Sequence, residues 1–248
     1  MENFVEEQRK YSLNAASAIK GEIYSEDCYI PFEHAFYMDE SVLKTSFTPK
    51  KFTLLHDYIS YRLREYFDYD LKKMGSAIYS SIYEEFECFG VDFKKYEEYS
   101  GNDYRSYLNN IFSNKVIDSL AKSTFNILFS DRTLMKEFNL KISYEIKKLN
   151  FIDYPLYLAR DGVMKRYSSW PKWLRSALLR REQGHCAICQ TDLTGLISNN
   201  VDGAIDHLIP LNLGGTNDPT NLQLLCKRCN SEKGGNKLTS SDRYSQYW

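Results

Sequence analysis

Residues 186–189 read CAIC, and residues 204–229 read AIDHLIPLNLGGTNDPTNLQLLCKRC. Cys186 and Cys189 form one CxxC pair, Cys226 and Cys229 a second, with 36 residues between the pairs. An i, i+3 spacing in a tight turn lets two thiolates converge on one ion. Two such pairs make the closed four-cysteine arrangement of structural zinc. Four thiolates leave no open coordination position, so this Zn²⁺ is expected to serve folding rather than catalysis. Between the pairs, residues 204–210 are expected as a strand ending in Asp206-His207. Residues 211–220 hold Gly214-Gly215 and Asn217-Asp218-Pro219, which spell a loop. Residues 221–225 read as a second strand and 227–237 as a short polar helix.

This run resembles the HNH endonuclease family, which has the ββα-metal fold. The resemblance rests on Cys186-x-x-Cys189, Asp206-His207-Leu208-Ile209-Pro210, Gly214-Gly215, Thr220-Asn221-Leu222, Cys226-x-x-Cys229-Asn230 and Lys233, and covers roughly residues 171–238. It implies that His207 is the general base, that Asp206 and Asn230 are ligands of the catalytic metal, and that Asn221 holds the histidine and its loop. Asn230 stands where many members have His. Lys233 stands where the family usually keeps a basic residue near the substrate. The chemistry agrees, because a histidine near its ordinary pKa can take a proton from water at neutral pH. Asp206 and Asn230 offer hard oxygen ligands, which favours Mg²⁺ or Mn²⁺. As in the family, hydrolysis is expected to leave 5′-phosphate and 3′-hydroxyl ends.

Outward from the motif, composition changes. All 14 Phe lie at or before Phe151, and only Tyr167, Tyr244 and Tyr247 of the 20 Tyr lie beyond residue 160. The formal net charge is −1, yet residues 161–248 hold 11 Lys+Arg against 8 Asp+Glu, and residues 1–160 hold 21 against 25. The chain total therefore does not exclude a nucleic-acid partner. Two domains are expected: a helical, Tyr/Phe-rich one over 1–160 and a nuclease domain over 161–248. The fold class is mainly α with a small α+β part.

In the first domain, Leu55, Ile59, Leu63 and Phe67 recur every four residues, as one helical stripe does. Ile78, Ile82 and Phe86 repeat it, and Val116, Leu120, Phe125 and Phe129 suggest a less regular helix. Asp103 and Asp131 suit helix caps. Residues 22–50 are less periodic and contain Pro31 and Pro49, which suggests loops or short strands. Cys28 and Cys88 read as buried small hydrophobes. His56 reads as a helix-surface or core-edge residue, His185 as a surface residue beside the zinc ligands. Nothing is assigned to His34.

Lys165, Arg166, Lys172, Arg175, Arg180 and Arg181 fall within 17 residues without an acid among them. Pro171 suits the start of a helix there and Gly184 its end, with Leu174, Ala177 and Leu178 facing inward. Lys227, Arg228, Lys233 and Lys237 lie on or near the last helix, and Arg175, Arg180 and Arg181 extend that basic surface toward a phosphate backbone. DNA is the default substrate, with RNA not excluded. One such site cuts one strand, so a double-strand break needs a homodimer or two nicks. The acidic first domain suggests a protein-interaction surface, where Tyr is favoured, that targets or restrains the nuclease in bacterial anti-phage defence or restriction. A homing nuclease would need a basic recognition helix that residues 1–160 lack. A zinc-ribbon binding module without catalysis is disfavoured by the intact Asp206, His207, Asn221 and Asn230.

No run of 18 apolar residues exists, so no membrane span is expected. The polar N-terminus has no signal-peptide core, which with reduced cysteines suggests a cytoplasmic protein. The abundance of Tyr and Phe excludes a disordered chain.

Overall fold

A computed structural model describes residues 2–25, 40–195 and 203–241. Pro31, Cys28 and His34 lie outside the described residues. The chain forms two compact units: Met1–Glu26 with His56–Leu128, and Asp27–Leu55 with Phe129–Trp248. The helix-rich architecture expected from the sequence is found, with the small sheets confined to the second unit. No helix among the described residues is long and apolar enough to cross a membrane.

The first unit is helical. It contains α1 (Glu2–Tyr24), most of α3 (Leu54–Met74), α4 (Tyr79–Cys88), α5 (Tyr104–Ile111) and α6 (Ile117–Leu128). α1 packs along α6 and α4. The four-residue stripe is buried as expected, with Ile59, Leu63 and Phe67 inside the unit. Phe67 stacks on Phe112, ring centroids 4.1 Å apart. α5 passes into α6 through a π turn at Phe112–Val116. Asp103 caps α5 by accepting from the Ser106 N–H. His56 is buried and stacks at 3.8 Å on Phe125, so it is a core residue and not a surface one. Cys88 is buried, as expected. Many of the tyrosines are occupied by one another: Tyr79, Tyr83, Tyr96, Tyr99, Tyr104 and Tyr107 form a continuous ring cluster.

The second unit contains α2 (Glu40–Phe47), α7 (Arg132–Lys147), the hairpin β1 (Leu158–Arg160) and β2 (Val163–Met164), α8 (Lys172–Arg181), β3 (Gly203–His207), β4 (Leu222–Cys226) and α9 (Lys227–Lys233). β3 and β4 pair antiparallel, with Ala204 opposite Leu225 and His207 opposite Leu222. α8 and α9 both pack on β4. Leu174, Leu178, Leu193, Leu222, Leu224 and Leu225 close a core against Cys186 and Cys229. Pro171 is the N-cap of α8, and Gly184, at φ +78°, follows its end.

Two sequence expectations are corrected here. Residues 40–47 are helical rather than loop or strand, because Leu43 and Ser46, three apart, bury one face. The compact units do not divide at residue 160. α7 carries buried polar residues whose partners lie beyond residue 160. Arg132, 1% exposed, ion-pairs Glu182 at 2.8 Å, and Asn139 donates to Thr220 at 3.1 Å. A composition break marks where Phe and Tyr stop, not where packing does.

Candidate active site

The site starts from the β3–β4 hairpin and its long connection. Leu213 leads into Gly214, at φ +83°, and a Cβ on Gly215 would sit 1.9 Å from the Ile209 carbonyl oxygen. Only glycine lets the connection fold back so closely. Asp218 then caps a short 3₁₀ turn, accepting from the Thr220 N–H at 2.9 Å and hydroxyl at 2.6 Å, and its second oxygen accepts from the Leu54 N–H at 2.9 Å. Asn221 is fully buried and staples the connection. Its amide donates to the carbonyls of Ile209 and Thr216, and its oxygen accepts from the Ile209 N–H. These side-chain bonds of Asn221 go to the loop backbone, and none of them goes to the imidazole.

The residue that holds the imidazole is Asn217, for which the loop motif alone predicts no such role. Its Oδ1 lies 3.1 Å from His207 Nε2 and accepts from the Tyr167 N–H at 3.3 Å, while its Nδ2 donates to the Lys165 carbonyl at 2.9 Å. Those backbone partners fix which end of the amide is oxygen. An oxygen can only accept, so Nε2 of neutral His207 carries the proton and Nδ1 keeps the lone pair. Burial, the largest influence, holds the imidazole down at about 4, against the Asn217 hydrogen bond and the Asp206 charge, and the Arg166 and Lys233 charges lower it further. A pKa that low leaves the His207 imidazole neutral at pH 7. Trp170 meets its ring edge-on at 5.9 Å.

Asp206, His207, Asn230 and Lys233 line one cavity of about 460 Å³, together with Arg166 and the Val163–Met164 end of the β1–β2 hairpin. Asp206 Oδ2 receives Lys233 Nζ at 2.7 Å and Gln223 Nε2 at 2.9 Å. Oδ1 of Asp206 and the side-chain amide of Asn230 make no hydrogen bond among the described residues. A carboxylate oxygen and an amide oxygen on one polar cavity fit a hard divalent cation.

The basic residues divide. Arg175, Arg180, Lys227, Arg228 and Lys237 are exposed. Arg181 is not a surface cation: it is buried, bonded to Glu182 at 2.6 Å and to the Leu222 carbonyl. Lys233 is also buried, donating to the His207 carbonyl at 2.6 Å as well as to Asp206. It borders the cavity beside Asp206 and His207 rather than a solvent-facing groove. Sequence spacing could not separate these from their exposed neighbours, since Arg180 and Arg181 are adjacent and only one faces the core.

Away from the cavity, the thiols of Cys186, Cys189, Cys226 and Cys229 all lie within 4.8 Å of one another, a candidate zinc site. Cys226 also caps α9, its Sγ accepting from the Cys229 N–H at 3.4 Å. Burial raises the Cys189 thiol, but Thr191 and the neighbouring sulfurs outweigh it and bring it to about 6. Burial pushes Cys186 and Cys229 up. Four such crowded sulfurs cannot all ionise without a cation among them. His185, half-exposed, is bonded through its ring to the Gln183 carbonyl at 2.6 Å.

Comparison with protein families matches the HNH endonuclease model to residues 186–242. Comparison with the curated proteins and with the solved structures finds no match. The match begins at the first zinc-site cysteine and runs past α9, so it contains the β3–β4 hairpin, its connection and every cavity residue contributed by β3 and α9. Residues 186–242 thus match the HNH endonuclease family model, as the sequence motifs in that stretch led one to expect.

Proposed function

We propose that the protein is a divalent-metal-dependent endonuclease or nickase that hydrolyses DNA phosphodiester bonds. One observation carries this reading: a neutral, oriented histidine shares a cavity with two oxygen donors suited to a hard cation. In the reaction, Nδ1 of His207 takes the proton of the attacking water. The Nε2–H···Oδ1 bond to Asn217 keeps the ring in that tautomer and stabilises the imidazolium as it forms. Asp206 and Asn230 would hold Mg²⁺ or Mn²⁺, which supplies polarisation of the phosphate and stabilisation of the leaving oxygen. Lys233 fixes the Asp206 carboxylate and the β3 terminus at once. By likeness to the family, the products are 5′-phosphate and 3′-hydroxyl ends.

Arg175, Arg180, Lys227, Arg228 and Lys237 are the candidates for backbone contacts along DNA. A single cavity cuts one strand, so double-strand cleavage requires a dimer or successive nicks. The helical first unit is assigned a targeting or restraining role through a protein partner, in anti-phage defence or restriction, and the thiol cluster suits the reducing cytoplasm. The metal claim is tested by incubating supercoiled plasmid or single-stranded RNA with the full chain in Mg²⁺, Mn²⁺ or EDTA. Nicked plasmid with either ion and none in EDTA, lost in Asp206→Ala and Asn230→Ala, is expected. Cleavage in EDTA would refute the metal reading, and RNA cleavage alone would replace the substrate.

A further inference from the structure

The cavity is lined by two cations, and they differ in what they do. Lys233 is committed to Asp206 and to the His207 carbonyl. Arg166 makes no hydrogen bond or ion pair among the described residues, although its charge reaches His207. Asp206 and Lys233 form an ion pair, so of the acidic and basic side chains on the cavity wall Arg166 is the one whose charge is not offset by a partner among the described residues. Such a cavity attracts an anion before any metal ion adds to it.

The backbone on both sides of Arg166 is held in place, while its side chain is exposed to solvent at the cavity. Asn217 accepts from the peptide N–H that follows it, at Tyr167, and donates to the carbonyl that precedes it, at Lys165. One side chain therefore grips both flanks of residue 166 and, through the same Oδ1, the His207 ring. The strand leading in is anchored too. Met164 is buried, β2 packs on the Leu211–Leu213 turn and on α7, and the Lys165 N–H donates to Tyr157 at 2.8 Å. The family match begins at residue 186 and assigns nothing to this segment.

We propose that Arg166 is a substrate-binding residue, placed beside the general base by the Asn217 clamp to take the non-bridging oxygens of the scissile phosphodiester. A guanidinium suits the task because its planar fork meets two phosphate oxygens at once. The proposal rests on the nuclease reading for the identity of the anion.

The test uses full-length protein and two readouts. In a His207→Ala background, binding of a duplex oligonucleotide is measured against salt in EDTA. Adding Arg166→Ala is expected to reduce the slope of log K against log[salt] by about 1. With His207 intact, Arg166→Ala is expected to slow plasmid nicking on the order of 10²-fold without moving the melting temperature or zinc content. Arg166→Lys is expected to restore the slope but only part of the rate, since ammonium is a point charge. An unchanged slope overturns the proposal, as does a lowered slope with unchanged nicking. If the parent itself fails to nick while the slope still depends on Arg166, the anion site stands and the nuclease reading falls.

Discussion

Asn217 concentrates several functions in one fully buried amide. It sets the tautomer of His207, joins the β3–β4 connection to residues 165–167, and accepts no substitution that keeps all its bonds. Asn217→Asp keeps the acceptor but loses the donor to Lys165, and buries a charge. Nicking is expected to fall at least about tenfold in Asn217→Ala, in line with the loss of an orienting hydrogen bond, and a rate within twofold of wild type would contradict the tautomer argument. Gly215 is a sharper case. Because a Cβ there would lie 1.9 Å from the Ile209 oxygen, Gly215→Ala is expected to destabilise the second unit by about 2 kcal/mol or more, read by urea denaturation. The sequence marked Gly214-Gly215 as a turn and Asp206-His207 as a dyad, since both are local patterns. Asn217 and Arg166 were invisible as a pair, because only the folded connection brings positions 51 residues apart onto one amide.

Elements are joined by buried polar contacts more than the hydrophobic pattern suggests. Glu182, just past α8, receives Arg132 from α7 on one oxygen and Arg181 on the other, all three nearly sealed from water. Removing the carboxylate strands two buried guanidiniums, so Glu182→Ala is expected to cost about 3–5 kcal/mol in chemical denaturation. A loss under about 1 kcal/mol would mean that water screens the triad. The order strand, loop, strand, helix was legible from residues 204–233 because period-two and turn signals survive in a short motif. Asp103 and Asp131 were legible as caps for the same reason, and both accept from the N–H three residues on. The β1–β2 hairpin was not read: three and two residues give no periodicity, and its importance comes from packing on the Leu211–Leu213 turn. Zinc is the remaining element-scale term. One ion per chain is expected by mass spectrometry, with loss of the second unit's fold on chelation or in Cys226→Ser and retention of it in Asp206→Ala.

Across the whole molecule, the charge of −1 hides a cavity whose own balance is positive, and the composition break near residue 160 hides a compact unit that also takes in residues 129–160. Both averages mislead because function and packing are decided by a few buried side chains. The first unit contributes a pH response. Burial, with the Lys122 charge, lowers His56 from 6.5 to about 4. Between those values the unfolded chain binds a proton that the folded chain does not, so stability rises with pH there and is lost on acidification from 6.5 to 4. The loss is up to about 3 kcal/mol, and a thermal scan against pH should flatten over that window in His56→Phe; an unchanged slope would remove His56 as its source. The central claim, that a neutral His207 is the base of a phosphodiester hydrolase, is tested most directly by plasmid nicking in Mg²⁺ with matched wild type and His207→Ala, both checked for zinc and melting temperature. The account predicts nicking by wild type and loss of at least about 10³-fold in the variant; equal rates in the two proteins would contradict it.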